Sequence, residues 1–185
     1  MKNKRVGEMS ATRTMTKMAI CVALLCVSAY ISFPLPFTAV MVTALTIVMN
    51  LSAFILTPKQ TFIVMLVYTL LGCIGLPVFV GGTAGFGKLF GPTGGFIIVF
   101  IIAYPIVSFL KGTKNSFKRY LLIAVAVGIP LTYIGGIISM MLVLQVNLWA
   151  ALVMAVFPFI PGDIFKAAAA AYLGAKLNTI FAQWI

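Results

Sequence analysis

Residues 95–110 read GFIIVFIIAYPIVSFL, a run that carries no charged side chain and is long enough for a membrane helix. Five further apolar runs lie on either side of it, at 17–33, 38–56, 61–80, 119–140 and 162–180. None shows the alternation over about ten residues that an outer-membrane β-barrel strand requires. Turn residues or charges separate the runs: Pro34 and Pro36 close the first, Pro58 precedes the third, and Gly112, Asn115 and Ser116 punctuate the fourth and fifth. The expected fold class is therefore all-α, a single transmembrane domain over 1–185 built as a bundle of six transmembrane helices with a Gly-rich extracellular loop.

Composition leads to the same place. Of the 185 residues 63% are hydrophobic and 8% charged, against about 45–50% and 25% in soluble domains, and a chain this short has too little interior to hide the excess. Membrane lipid is the expected solvent. Residues 143–161 are less regular, because the apolar piece from Leu148 to Phe157 is too short to cross. Two readings stand: an interfacial or re-entrant segment, which Trp149 favours because indole prefers the headgroup level, or the start of the sixth helix, broken by Pro158 and Pro161. Irregular backbone at this depth must be buried in protein or line a cavity.

Eleven of the thirteen basic residues fall on one side of a six-span arrangement: Lys2, Lys4, Arg5, Arg13, Lys17, Lys59, Lys111, Lys114, Lys118, Arg119 and Lys176. The positive-inside rule then expects a multi-pass protein of the cell (plasma) membrane with both termini cytoplasmic. Lys88 lies in an outside loop and Lys166 inside the sixth run. This asymmetry accounts for the net charge of +11 without nucleic acid, for which short loops offer no groove. The basic start followed by Met18 to Tyr30 has the form of a secretory signal, but five more spans follow, so a retained first helix is expected. Cys21, Cys26 and Cys73 sit in apolar runs without metal-site spacing and are expected to pack.

The chemical inventory excludes most catalysis. There is no histidine, and Glu8 and Asp163 are the only acids, so neither a carboxylate dyad, a metal cage nor a Ser-His-Asp triad can be assembled. No Gly-Lys-Ser/Thr phosphate loop is present, so the chain is expected to be no enzyme, to have no ATPase of its own and to need no cofactor. Two features remain. In Pro158-Phe159-Ile160-Pro161-Gly162-Asp163-Ile164-Phe165-Lys166, the i,i+3 spacing puts carboxylate and ammonium on one helix face, and a helix N-terminus favours the anion. The pair is either an interfacial cap with a snorkelling lysine or a cavity-facing site, and the cost of ions in a membrane span favours the cavity. The second feature is the loop 81–95, GGTAGFGKLFGPTGG, with seven glycines in fifteen residues. It reads either as a flexible connector or as a lid whose backbone approaches a ligand, with Gly82, Thr83, Gly85 and Phe86 as candidates; the large apolar Phe86 and Phe90 favour the lid.

Gly75-Leu76-Pro77-Val78-Phe79, the glycine loop, Gly91-Pro92-Thr93-Gly94-Gly95-Phe96 and the Pro158 to Asp163 motif with Lys166 together resemble the BioY family, the biotin-specific S components of energy-coupling factor (ECF) transporters. The resemblance covers the whole chain and rests on two long motifs in the right order. It implies that the chain captures biotin with high affinity outside the cell and hands it to an energy-coupling module of two ATPases and a transmembrane coupling protein. In that reading Asp163 can accept bonds from the ureido N–H groups, while Lys166 either balances Asp163 or meets the ligand. Tyr133, a hydroxyl in an otherwise apolar fifth helix near Gly135 and Gly136, joins the candidates. Ala19 and Ala23, a small-xxx-small pair, match the family's Ala-xxx-Ala motif for docking the coupling protein; internal packing is the other reading. The run Ala167 to Ala171 is expected to pack internally. Alternatives are an S component for another vitamin or a stand-alone secondary transporter, although the chain has no internal repeat of the kind such transporters show. A small structural or assembly subunit is a further class, but it would need no ionisable pair in a membrane helix.

Overall fold

A computed structural model describes residues 2–36, 38 and 40–183, with side chains from residue 11 to residue 182 except at 37 and 39. The side chains of Lys2, Lys4, Arg5 and Glu8, and residues 1, 184 and 185, lie outside the described set. Among the described residues the chain is mostly helical. Helix α1 (Lys2–Ser28) leads into a two-stranded antiparallel hairpin, β1 (Ser32–Pro34) and β2 (Met41–Thr43), with Phe33 opposite Val42. Next come α2 (Leu45–Ile55), α3 (Pro58–Cys73), two 3-10 turns (Val80–Gly82 and Phe86–Phe90) and α4 (Gly94–Leu110). Helices α5 (Phe117–Ile123) and α6 (Ile129–Leu144) are joined through a π-helical turn, Ala124–Gly128, and α7 (Leu148–Ala155) and α8 (Ile160–Gln183) complete the chain.

Local chemistry sets these boundaries. Thr57 and Gln60 form a reciprocal cap at the start of α3, the Thr57 hydroxyl accepting from the Gln60 N–H and the Gln60 side chain from the Thr57 N–H, with Pro58 in the first turn. The Asn147 side chain accepts from Ala150 N–H at 2.8 Å to start α7. Helix α3 stops at Cys73, short of the expected 80, because Gly75 takes φ +106° and Pro77 follows. The hairpin takes residues 41–43 from the expected 38–56 run, and α2 is left with 11 residues.

Among the described residues two helices are long and apolar enough to cross a bilayer: α1, over Ala11–Ser28, and the continuous Phe117–Leu144. A third arises if α7 and α8, bent by 50° at their break, count together. Helices α2, α3 and α4 are shorter apolar helices, and all of them pack side by side.

Helix α2 is central. Leu45, Met49, Ala53 and Phe54 are buried, and α8 lies along it with Ala167, Ala170 and Ala171 fully buried, as small residues at a close crossing should be. The α2 C-terminus is held from two sides. Lys111 Nζ donates to Ala53 O (2.7 Å), Phe54 O (2.8 Å) and Leu56 O, while Ser108 Oγ donates to Leu56 O and Asn178 Nδ2 to Phe54 O. Phe54 also stacks on Tyr120, with ring centroids 4.6 Å apart. At this end Lys17 lies over the Phe181 ring, and Asn115 donates to Ala175 O. The hairpin, the 3-10 turns and α7 gather at the opposite end.

Helices α4 and α6 touch backbone to backbone. A Cβ on Gly135 would lie 2.6 Å from Gly95 O and 2.3 Å from a Val99 methyl, and one on Gly95 would lie 1.9 Å from Gly135 O. Gly135→Ala should therefore lower stability by about 1–3 kcal/mol, the usual cost of overpacking. Gly87→Ala, whose Cβ meets nothing within 4 Å, should leave it unchanged. Thermal unfolding of both variants in detergent checks this, and equal midpoints would show that the α4–α6 contact relaxes freely.

Candidate functional site

The break between α7 and α8 positions the site. Residues 156–159 form a turn between the two helices, and Asp163 N–H bonds back to Phe159 O at 2.8 Å, so Asp163 enters α8 in its first turn. There the positive end of the helix dipole favours the carboxylate. One turn on, Lys166 Nζ lies 2.8 Å from Asp163 Oδ1, and the two side chains are 12% and 13% exposed. From α6, Tyr133 donates its hydroxyl to Asp163 Oδ2 at 2.6 Å. Tyr133, singled out apart from the Asp163–Lys166 pair in the sequence, thus joins it in one cluster, and each carboxylate oxygen already accepts one bond.

The cluster faces a cavity of about 110 Å³. Its walls are largely apolar: Leu45 from α2, Tyr68 from α3, Phe96, Ile97 and Phe100 from α4, and Ala155 and Phe159 from the α7–α8 corner. Polar groups reach it at Thr43, Thr46, Thr93 and Thr132, besides Tyr133, Asp163 and Lys166. The hairpin contributes Val40 and Met41, and the glycine-rich segment contributes Phe79, Val80 and Lys88. Among the described residues no group of three His, Cys, Asp or Glu could hold a metal ion.

Gly82, Thr83, Gly85 and Phe86 shape this segment without lining the cavity themselves. Gly82, at φ +69°, passes 3.2 Å (from an added Cβ) beneath the Tyr30 ring, where a side chain would be strained and crowded. Thr83 pairs with Phe79 and donates its hydroxyl to Val80 O at 3.0 Å, and Gly85 N–H bonds Gly72 O at 2.8 Å. Phe86 is 61% exposed and meets Phe90 edge to face. The segment is tied down by Tyr68, which donates to Val78 O at 2.9 Å, and by Gly81 N–H on Ala29 O at 3.2 Å. These bonds tie the segment back to the end of α1 and to α3.

Lys88 was not among the candidates, although its signal was visible: it is the basic residue that breaks the one-sided charge pattern. The cavity positions of Thr46, Tyr68 and Phe79 gave no such signal, because each lies within a run that reads as ordinary apolar packing. Ala19 and Ala23 are both exposed on α1, whose buried face is formed by Cys21 and Leu25. They do not pack internally.

The model of the BioY family matches residues 1–183. The chain is 35% identical over 150 residues to a protein named "Probable biotin transporter BioY" of Bacillus subtilis, covering 78% of each chain. It is 36% identical to the protein of that name in Pyrococcus horikoshii, covering 86% of this chain and 93% of that one. It is 33% identical to "Biotin transporter BioY" of Thermotoga maritima, covering 91% and 97%. Its fold is similar to the crystal structure described as the S-component for biotin from an ECF-type ABC transporter, with a TM-score of 0.85 at 24% identity over 92% of this chain and 93% of that one. A family match over nearly the whole length, with relatives above 30% identity that are covered almost end to end, makes this chain a member of the BioY family.

Proposed function

We propose that this chain is a biotin-binding S component that captures biotin outside the cell and passes it to an ATP-driven energy-coupling module. The observation that carries this reading is its family membership, with relatives named biotin transporters matched over most of their length. The cavity suits such a ligand. Biotin's fused rings and valeryl chain are mostly apolar and would lie against Phe96, Ile97, Phe100 and Phe159, while its ureido group needs acceptors and donors together. Asp163 can accept from ureido N–H groups with its remaining lone pairs, and Tyr133 and Lys166 hold the carboxylate in orientation. Lys88, on the cover, supplies a cation for the ligand's carboxylate.

In this reading the chain crosses the cell membrane six times, through α1, α2 with the stretch before it, α3, α4, the α5–α6 helix and α8, with α7 at the interface. The bilayer adapts to the shorter helices by local thinning. Both termini lie in the cytoplasm, on the side of Lys59, Lys111, Lys114, Lys118 and Arg119, and the cavity end faces outward. The exposed Ala19 and Ala23 form the seam for the transmembrane coupling protein, whose two ATPase partners supply the energy. The chain itself catalyses nothing.

Titration calorimetry on the purified protein should show tight biotin binding that neither nucleotide nor a chelator alters. Heat with riboflavin or thiamine but none with biotin would reassign the vitamin. Asp163→Asn should weaken biotin binding by about 1.5–3 kcal/mol, the range for one hydrogen bond to a charged group, or roughly ten- to a hundredfold. Lys166→Met should also weaken it, because Asp163 then loses its neighbouring countercharge. A double-variant loss smaller than the sum of the single losses means the pair acts chiefly on each other; additive losses mean each meets the ligand. Wild-type affinity in folded Asp163→Asn would reduce the residue to a helix cap.

The docking seam has its own test. Ala19→Trp and Ala23→Trp should leave biotin binding intact but abolish ATP-dependent uptake in vesicles containing the coupling module, since an indole holds the helices apart. Normal uptake by both variants would place the seam elsewhere.

A further inference from the structure

Most polar side chains on the helical and hairpin walls of the cavity are engaged by the protein. The Thr43 hydroxyl accepts from Leu45 N–H at 3.1 Å, and the Thr132 hydroxyl is 2.8 Å from Ile129 O and 3.1 Å from Gly128 O. Tyr68 bonds Val78 O, and Tyr133 bonds Asp163. Thr46 differs. It lines the cavity from the first turn of α2, yet its Oγ1 is buried and has no hydrogen-bond partner among the described residues. One turn further along, the Asn50 amide donates to Thr46 O at 2.9 Å and fixes the backbone of that turn.

A buried hydroxyl without a partner costs about 1–3 kcal/mol, and a valine in its place would fill the same volume without that cost. The wall helix therefore carries an unsatisfied hydroxyl beside the cavity, and Asn50 Oδ1, one turn along, is likewise buried without a partner among the described residues. Threonine in a helix moves between two χ1 rotamers, and that rotation exchanges hydroxyl for methyl at the cavity surface. The first turn of α2 also carries the positive end of the helix dipole, which favours an oxygen acceptor opposite it.

We propose that Thr46 is a ligand-contacting residue that donates a hydrogen bond to an oxygen of the bound molecule, and so helps set which molecules the cavity accepts. This rests on the reading of the cavity as a biotin site. On α6 and α8, Asp163, Lys166 and Tyr133 already bond one another, whereas the Thr46 hydroxyl has a bond left to give.

The experiment compares wild type, Thr46→Val and Thr46→Ser by biotin titration and by thermal unfolding without ligand. Thr46→Val should unfold no earlier than wild type yet bind biotin about tenfold more weakly, the worth of roughly one hydrogen bond, while Thr46→Ser keeps affinity close to wild type. Undiminished affinity in Thr46→Val overturns the proposal, as does equal weakening of Val and Ser variants, which would make the side chain's shape the cause. A wild-type protein that takes up no biotin would instead remove the reading of the cavity on which the proposal stands.

Discussion

The Lys111 ammonium, set against the last carbonyls of α2, meets the constraint on which the rest of the structure depends. An eleven-residue helix cannot reach both faces of a bilayer, so its end groups fall inside the protein, where water does not satisfy them. Lys111 takes three of those carbonyls, with Ser108 and Asn178 adding bonds from α4 and α8. The shortest of these packed helices is thereby fixed against α4 and α8. With its C-terminus anchored, the N-terminal turn of α2 is left as a wall of the cavity, and the alanine face of α8 that packs along it carries Asp163 and Lys166 into place.

The polar cluster depends on a second backbone device, the break between α7 and α8. A straight helix through residues 148–183 would bury the Pro161 ring against the preceding turn and leave no free helix start inside the bundle. The break creates that start three residues before Asp163, and the charge sits where the helix dipole favours it. Lys166 follows on the same face, and Tyr133 reaches across from α6. The carboxyl and amino groups are thus held among apolar helices by each other, by one phenol and by a helix end.

Much of this was legible in the sequence because lipid allows few solutions. Uncharged runs such as 95–110 read as helices, and a lone acid with a lysine three residues on in a membrane run read as a cavity pair. The alanine run on α8 read as close packing, and its Ala167, Ala170 and Ala171 are buried while Ala168 and Ala169 are partly exposed. What stayed hidden was set by long-range geometry. Residues 41–43 read as helix because Met-Val-Thr is apolar, but they pair with 32–34 as strands, a choice decided by the partner rather than by the segment. Residues 74–80 read as the end of a helix, whereas Gly75 and Pro77 turn them over the cavity. The glycine loop read as a lid bringing Gly82, Thr83, Gly85 and Phe86 to a ligand, but the residues of this region that line the cavity are Phe79, Val80, Lys88 and Thr93, while Gly81, Gly82 and Gly85 bend the chain at positive φ. Nothing local to Thr46 separated it from the many threonines that bond their own helix.

The glycine contact between α4 and α6 also determines where this molecule can breathe. With carbonyl against Cα at Gly95 and Gly135, and the Phe96 ring pressed onto Gly136, those two helices have no slack through which to part. They form the fixed jaw of the cavity. The opposing jaw is made of thinner material: a three-residue-a-side hairpin, a pair of single turns and an eight-residue helix. Of the elements that line the cavity, the short hairpin, the glycine segment and α7 are therefore the ones that can give way to a molecule entering or leaving.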